Sequence, residues 1–329
     1  MRYDLTDIQP PKPYSGIILR GIDNMCRIAG YSYTARDDAV HAVIWSNDRI
    51  TDLGTLGGRN SFANAISDGG AVVGYSETLP GSTAYHAFRF EAGFLDDLNA
   101  RDSARSSATA VNASGLIVGE SQRRSGLMGA CQWRDDEHIE LDSFGDARST
   151  AFAVNAAGLV AGQAYLNAKV AHAVVWADGE MLDLGTLGGL SSAALGINDS
   201  GIVVGWSEAA DGSCRAFVWH DGQMHDLPGL GGAYATARAI NSDGVIVGSS
   251  TANGSTYNVA TCWVDGVACD IHRRLSHRQG WTLQSPKAIN RSGDIVGEGV
   301  VAGQTRSFYL ELIEDGPVTY VPPEDELAE

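Results

Sequence analysis

One short motif recurs seven times along the 329-residue chain, and such a repeat constrains the fold more than composition does. Each occurrence of the motif ends in a glycine, and successive closing glycines are 43 to 49 residues apart. In chain order, which numbers the copies one to seven, they are Gly30, Gly74, Gly119, Gly162, Gly205, Gly248 and Gly297. This period is typical of one four-stranded blade of a β-propeller. The sequence therefore predicts an all-β, seven-bladed β-propeller with four-stranded blades.

Each copy contains the signals for four short strands. The best copies begin with an Ala-Ile-Asn-x-x-Gly-x-Val-Val-Gly pattern, in which the Asn and Gly favour a tight hairpin turn. A third strand follows, such as His172–Trp176, and its apolar residues face both sides, as expected for a strand between two sheets. The turn Asp178-Gly179 then leads to a fourth strand that contains Asp183.

The two ends of the chain carry complementary parts of one blade. The fourth-strand aspartate occurs six times after a third strand, at Asp52, Asp97, Asp142, Asp183, Asp226 and Asp270. The last copy stops at its third strand, whereas Tyr3-Asp4-Leu5 has the fourth-strand form before any first strand. We therefore expect residues 2 to 8 to close the last blade, which removes an open sheet edge. The predicted domain is residues 1–312, followed by an acidic tail at 313–329.

Composition narrows the class of protein. A formal net charge of -17 disfavours nucleic acid as a partner, and no apolar run is long enough to span a membrane. The start of the chain has no export signal, so we expect a cytoplasmic protein, or an extracellular one if a leader was removed. Five cysteines without C-x-x-C spacing fit a reducing compartment. Whether Cys262 and Cys269, which flank one turn, are bonded stays open.

The combination of His-Ala-Phe-Val-Trp, Met-x-Asp-Leu-Gly-Thr-Leu-Gly-Gly and Ala-Ile-Asn-x-x-Gly resembles the HAF-repeat family. Its best copies are His172 to Gly205 and Arg215 to Gly248, and the match extends over nearly the whole chain. The resemblance implies a bacterial repeat protein of the β-propeller type, often extracellular and without an assigned activity.

Divergence among the copies indicates where a site could lie, because positions fixed by packing stay alike. Two rings of divergent residues are expected at the loop-bearing face of the propeller, here called the top face. The first ring follows the closing glycines and includes Tyr31, Tyr75, Glu120, Gln163, Trp206 and Glu298. The second precedes the first strands and includes Arg105, Arg148 and Tyr234. Aromatic, acidic and basic groups around one opening suit a ligand of mixed polarity.

Two functions follow from these residues. The first is a non-catalytic binding scaffold, monomeric, that presents the top face to a protein, peptide, glycan or small molecule. The alternative is an enzyme at the channel mouth, such as a lyase, hydrolase or isomerase. Glu120 and Glu298 would then act as acid and base, with Arg105 or Arg148 stabilising negative charge. The absence of a recurrent nucleophile and base favours the scaffold.

No cofactor or metal site is predicted. His41, His86 and His172 occupy equivalent positions in different blades, too far around the ring to form one ligand set. We expect these histidines to bond to nearby backbone. The recurring fourth-strand aspartates are expected to cap the turns that follow them.

Overall fold

The computed structural model describes residues 1–35, 39–81, 83–99, 105–135, 137–277 and 280–314. They form 28 β-strands, labelled in chain order, and one short 3-10 helix at Ile271–Arg274. Up to residue 140 the strands are β1 (Arg2–Asp7), β2 (Tyr14–Ile22), β3 (Ile28–Thr34), β4 (Val40–Ser46), β5 (Arg49–Asp52), β6 (Ser61–Ile66), β7 (Val72–Glu77), β8 (Tyr85–Glu91), β9 (Phe94–Asp97), β10 (Ser106–Val111), β11 (Ile117–Gln122), β12 (Met128–Arg134) and β13 (Glu137–Glu140).

The second half of the chain continues the pattern of four strands per copy. Its strands are β14 (Ser149–Val154), β15 (Val160–Tyr165), β16 (Ala171–Ala177), β17 (Glu180–Gly185), β18 (Gly188–Ile197), β19 (Val203–Ala209), β20 (Cys214–His220), β21 (Gln223–Leu227), β22 (Gly231–Ile240), β23 (Ile246–Ala252), β24 (Asn258–Val264), β25 (Val267–Asp270), β26 (Trp281–Ile289), β27 (Ile295–Val301) and β28 (Gln304–Glu314). Within the described residues, no helix is long and apolar enough to cross a membrane.

The fold is an all-β propeller, but the predicted count of seven blades is wrong. Five four-stranded blades stand alone: β2–β5, β6–β9, β10–β13, β14–β17, and β26–β28 with β1. Copies five and six, β18–β21 and β22–β25, instead share one eight-stranded sheet. A single parallel bridge, Cys214 to Tyr234, joins β20 to β22. Because Cys214 and Tyr234 both lie inside named strands, this one bridge is enough to merge the two sheets.

The strand that opens the chain closes its last blade, as predicted. Strand β1 pairs antiparallel with β28 from Arg2–Glu314 to Asp7–Phe308. Its side chains at Tyr3 and Leu5 are 0% and 5% exposed, so the edge strand is anchored in the core. Strand β28 continues to Glu314, two residues into the predicted tail. The rest of that tail lies outside the described residues, and the proposed division at 312 stays a prediction.

The core lies between neighbouring sheets rather than within one. One cluster combines Val73 and Ala87 of copy two with Ala108 and Trp133 of copy three, and all four are buried. This explains why third strands are apolar on both faces. The closing glycines have a separate cause within each sheet: a Cβ at Gly205 would overlap the carbonyl oxygen of Ala193 on the paired strand.

Asparagine side chains at the hairpin turns join one sheet to the next. In Asn198, Oδ1 accepts hydrogen bonds from the backbone N–H groups of Ser200 and Ile202, at 3.1 and 3.0 Å, which caps the turn. Its Nδ2 donates to the carbonyl oxygen of Asn241 in the next copy, at 3.2 Å. The same bond to the next copy is made by Asn112, Asn155, Asn198, Asn241 and Asn290, whose side-chain donors lie 2.9 to 3.3 Å from their acceptors. We call this series the asparagine belt.

The recurring histidines bond to side chains rather than to backbone, so that part of the prediction is wrong. His41 Nδ1 lies 2.8 Å from an oxygen of Asp52, and His86 and His172 make the same contact with the fourth-strand aspartates of their own blades. Where the third strand carries arginine, Arg215 bonds to Asp226 in the same way, at 2.6 Å. The aspartates also cap the following turn, as predicted: Asp52 accepts from Gly54 N–H at 2.8 Å.

Deleting residues 1 to 9 should lower the melting temperature substantially and promote oligomers, because β28 would expose an unpaired edge and the buried contacts of Tyr3 and Leu5 would be lost. Scanning fluorimetry and light scattering after gel filtration would measure both effects. A monomer with an unchanged melting temperature would contradict this account of ring closure.

Replacing Asn198 by aspartate should lower the free energy of unfolding by about 1–3 kcal/mol, measured by urea denaturation. The turn cap keeps its acceptor oxygen, but the donor to Asn241 is lost and a carboxylate faces a carbonyl oxygen. Asn167→Asp is the control, since the Asn167 side chain acts only as an acceptor in its turn among the described contacts. Equal stability of both variants would show that the belt contributes nothing.

Candidate functional site

The first strand of every copy contains a β-bulge next to the channel. The register between first and second strands shifts at the third residue from the end of each first strand. The bulged residues are Arg20, Asn64, Thr109, Phe152, Leu195, Arg238 and Lys287. Bulges re-aim a side chain and are frequent beside functional sites. Because the first strands are the innermost strands and adjoin one another around the ring, these seven residues encircle one channel.

Three of the bulged residues are cationic and lie on neighbouring first strands. Arg238 is on β22, Lys287 on β26 and Arg20 on β2. Arg238 is exposed although it lies on an innermost strand, so its side chain extends into the channel. Loss of hydration among the surrounding protein groups lowers the pKa of the Arg238 guanidinium, and the charge of Arg20 adds to the effect, whereas Glu298 and Tyr234 oppose it. We call Arg20, Arg238 and Lys287 the cation cluster.

One carboxylate, Glu298, balances part of this charge. The Lys287 ammonium lies 2.6 Å from an oxygen of Glu298 and also donates to Ser285 Oγ at 3.0 Å. Burial lowers the pKa of Lys287, the Glu298 hydrogen bond opposes this, and Arg238 and Arg20 add to the lowering. Among the described contacts, Arg238 has no hydrogen bond or ion pair of its own. The cation cluster therefore has three positive charges and one close negative charge.

Aromatic side chains extend from the cation cluster along one side of the propeller channel. The guanidinium of Arg20 donates to the Tyr31 hydroxyl at 3.2 Å and lies 5.6 Å from the Tyr31 ring centre, while its buried Nε has no partner among the described residues. Phe62 lies between Tyr31 and Tyr75, with ring centres 5.1 and 4.9 Å away. Tyr75 in turn contacts Tyr85 at 5.3 Å. The predicted residues Tyr31 and Tyr75 are thus brought together, through a phenylalanine the sequence reasoning missed.

Glu120 occupies a separate part of the ring, in copy three. Its carboxylate accepts a hydrogen bond from Thr150 Oγ1 of copy four at 2.9 Å. Burial raises the pKa of Glu120, whereas the Thr150 bond and the charge of Arg148 act against the rise. Glu298 lies in copy seven and is bonded to Lys287. The structure therefore does not pair the two predicted acid and base candidates.

The other predicted residues are dispersed around the ring. Arg105 stacks over Tyr85 at 6.0 Å and Arg148 over Tyr165 at 5.0 Å, and both arginines are exposed. Gln163 Nε2 contacts the Tyr165 hydroxyl at 3.4 Å, and Trp206 pairs with Ala193 and Ala216 in copy five. Tyr234 is 37% exposed and close enough to Arg238 for that charge to act on its pKa, although burial is the larger influence and raises it.

Arg20, Arg238 and Lys287 are functional candidates that the sequence reasoning missed. The signal was present: each copy has one divergent residue directly before the small residue of its Ala-Ile-Asn pattern. In a strand without a bulge, the side chain at that position would point in another direction. Nothing in the sequence marks the bulge. Among the described residues, no group of three or more His, Cys, Asp or Glu is placed to hold a metal ion.

A cavity of about 450 Å³ lies at the opposite mouth of the channel, on the face of the asparagine turns. Its lining includes Asn198, Asn241 and Asn290, whose amides belong to the asparagine belt. Asp199 and Asp68, also in the lining, accept backbone hydrogen bonds from neighbouring copies. These asparagine and aspartate groups are engaged in holding sheets together, so the cation cluster is the better candidate site.

Comparison with solved structures identifies the class of fold. The β-propeller domain of the Trilobed protease from Pyrococcus furiosus superposes with a TM-score of 0.62 at 10% identity, covering 92% of this chain and 96% of that domain. A puromycin-hydrolyzing peptidase of Mycobacterium tuberculosis gives a TM-score of 0.57 at 12% identity and 98% coverage of this chain. The acylaminoacyl peptidase of Pyrococcus horikoshii gives 0.53 at 11% identity and 93% coverage.

These likenesses establish the β-propeller fold and nothing about activity. This chain spans only 57% and 54% of the two peptidases. No protein-family model matches the sequence, and neither does any curated protein sequence. The residues of the channel are therefore the features that bear on its function.

Replacing Glu120 by glutamine should stabilise the fold increasingly as the pH rises from 4 to 7. Because burial raises the pKa of Glu120 in the folded state, ionisation of Glu120 lowers the free energy of unfolding. The native protein therefore loses this stability as the pH rises through the folded-state pKa, whereas the glutamine variant does not. Melting temperatures of both proteins across this range would measure the difference, with exposed Glu137→Gln as control. A difference that does not grow with pH, or grows equally for the control, would contradict the burial effect.

Proposed function

We propose that this protein is a non-catalytic binding scaffold whose channel receives the acidic part of its ligand. The observation that supports this proposal is the cation cluster, in which three positive side chains on adjacent first strands have one close carboxylate. Like charges held together in a confined space repel one another, and a bound carboxylate or phosphate relieves that repulsion. Guanidinium groups are well suited to bind such anions through paired hydrogen bonds.

The neighbouring residues support recognition of more than a bare ion. Tyr31 and Tyr234 adjoin the two arginines, and the ring of Phe62 continues the apolar surface toward Tyr75. A ligand with an acidic group and a planar or apolar portion fits this combination. Proteins, peptides, glycans and small molecules can all carry an acidic group. The binding experiment below distinguishes these sources of the ligand.

The enzyme alternative rests on the half-buried carboxyl of Glu120, because burial raises its pKa and a raised pKa is a property of many general acids. A general acid needs a base or a charge-stabilising group on the same reacting atom. Glu298, the proposed second carboxylate, lies in another part of the ring and is bonded to Lys287. Binding without catalysis is therefore the function we favour. Membership of the HAF-repeat family, a cytoplasmic location and a monomeric state are further proposals that do not depend on this site.

Titration calorimetry at low salt tests the proposal with four probes: pyrophosphate, citrate, hexaglutamate and a neutral oligosaccharide. We expect at least one acidic probe to bind, more weakly as salt is added, and the neutral one not to bind. Arg238→Gln should weaken binding by about tenfold, because one charge-assisted interaction is lost. The matched control is Arg124→Gln, which removes an exposed arginine from a surface turn.

Three results would overturn this function: no acidic probe binds the native protein, the neutral oligosaccharide binds equally well, or Arg238→Gln and Arg124→Gln have the same effect. Which acidic probe binds best distinguishes a phosphate, a small carboxylate and an acidic peptide as the source of the ligand.

A further inference from the structure

Cys262 and Cys269 face each other across the hairpin of β24 and β25, and the proposed function uses neither of them. They are direct partners in the strand register, and neither is in a disulfide. Directly opposite residues of antiparallel strands have Cα atoms about 4.5–5.5 Å apart, within the roughly 4.4–6.8 Å range of disulfides. The two sulfur atoms can therefore bond without a rearrangement of the backbone.

The two thiols have different surroundings. Cys262 is 0% exposed, whereas Cys269 is partly exposed at the surface of the hairpin. Arg274, the last residue of the 3-10 helix, donates a hydrogen bond from Nη2 to Cys269 Sγ at 3.2 Å. This hydrogen bond from a cation favours the thiolate of Cys269.

The pKa directions agree with this geometry. The hydrogen bond from Cys262, and then the bond and charge of Arg274, lower the pKa of Cys269, although burial opposes them. The pKa of Cys262 is raised, because it acts as the donor and is buried. Burial raises the pKa of each of the other three cysteines, Cys26, Cys131 and Cys214. Only Cys269 therefore combines thiolate character with access to solvent, which are the properties of a reactive cysteine.

We propose that Cys262 and Cys269 are a reversible dithiol–disulfide site that is oxidised by hydroperoxides. The Cys269 thiolate attacks one peroxide oxygen, the O–O bond breaks, and the leaving hydroxide takes up a proton to become water. The resulting Cys269 sulfenic acid is attacked by the Cys262 sulfur as its thiol gives up a proton. The S–O bond breaks, a second water leaves, and the disulfide forms. Two thiols lose two electrons in total, and one hydrogen peroxide is reduced to two waters.

The other candidate oxidation sites lack one or both of these properties. Cys214 is partly buried like Cys269, but burial raises its pKa to about 11 and no cation bonds to its sulfur among the described contacts. Cys26 bonds to the carboxylate of Asp294, which disfavours a thiolate. These two cysteines serve as internal controls within the same protein.

The test treats the native protein with equimolar hydrogen peroxide and maps its peptides by mass spectrometry. We expect loss of two hydrogen atoms from the segment holding Cys262 and Cys269, reversed by dithiothreitol, while Cys214 and Cys26 stay reduced. In Cys262→Ser the reaction should stop at the sulfenic acid of Cys269, which dimedone captures. Equal oxidation of Cys214, or an unmodified 262–269 pair, would overturn the proposal.

Arg274→Gln tests the role of the arginine in activating Cys269. The rate of Cys269 alkylation by iodoacetamide should rise with pH around a midpoint well below that of an ordinary thiol, and the variant should move this midpoint upward by about 1 pH unit. Arg273→Gln is the matched control, because Arg273 is exposed and its guanidinium pairs with Asp270 instead. An identical midpoint in both variants, or a native midpoint at the ordinary value, would contradict the assignment.

Discussion

The hydrogen bond from an asparagine amide to the backbone of the next copy is the interaction on which the rest of the structure depends. The same side chain closes its own turn through Oδ1 and joins the neighbouring sheet through Nδ2, as in Asn198. Both functions need an amide, because a carboxylate cannot donate and a hydroxyl is too short to do both. The five asparagines of the belt are between 3% and 7% exposed, so water does not compete for their bonds. The belt thus fixes the spacing of adjacent first strands around the channel.

The asparagine belt is altered where the last copy meets the first two copies. The last asparagine, Asn290, donates to Asp23 of copy one, and Asp23 is bonded to Arg27. Ser67 of copy two caps its turn but has no amide to reach the next sheet. Copies six, seven and one also carry the cation cluster. The repeated hydrogen bonds therefore hold a regular framework in which single copies can carry residues that the other copies lack. Those residues give the channel its chemistry.

Most of the fold could be predicted from the sequence because its signals are local. Turn residues mark the hairpins, apolar residues mark the strands, and the unmatched fourth strand at Tyr3–Leu5 predicted the pairing of β1 with β28. The number of separate sheets could not be predicted, since it depends on one bridge between Cys214 and Tyr234. The partners of the histidines were also missed: the aspartate that receives His41 is on the adjacent strand, eleven residues away.

The candidate site was predicted only in part. Glu298, Tyr31 and Tyr234 adjoin the cation cluster, but Glu120 and Glu298 are not brought together. The sequence by itself determined the repeat, the strands, the turns and the closing strand, because each depends on residues close in the chain or on one matched pair of ends. Only the tertiary structure decided that Arg20, Arg238 and Lys287 meet. A bulge in each first strand sets their direction, and the ring brings the first copy beside the last, so residues more than 200 positions apart share one electrostatic environment.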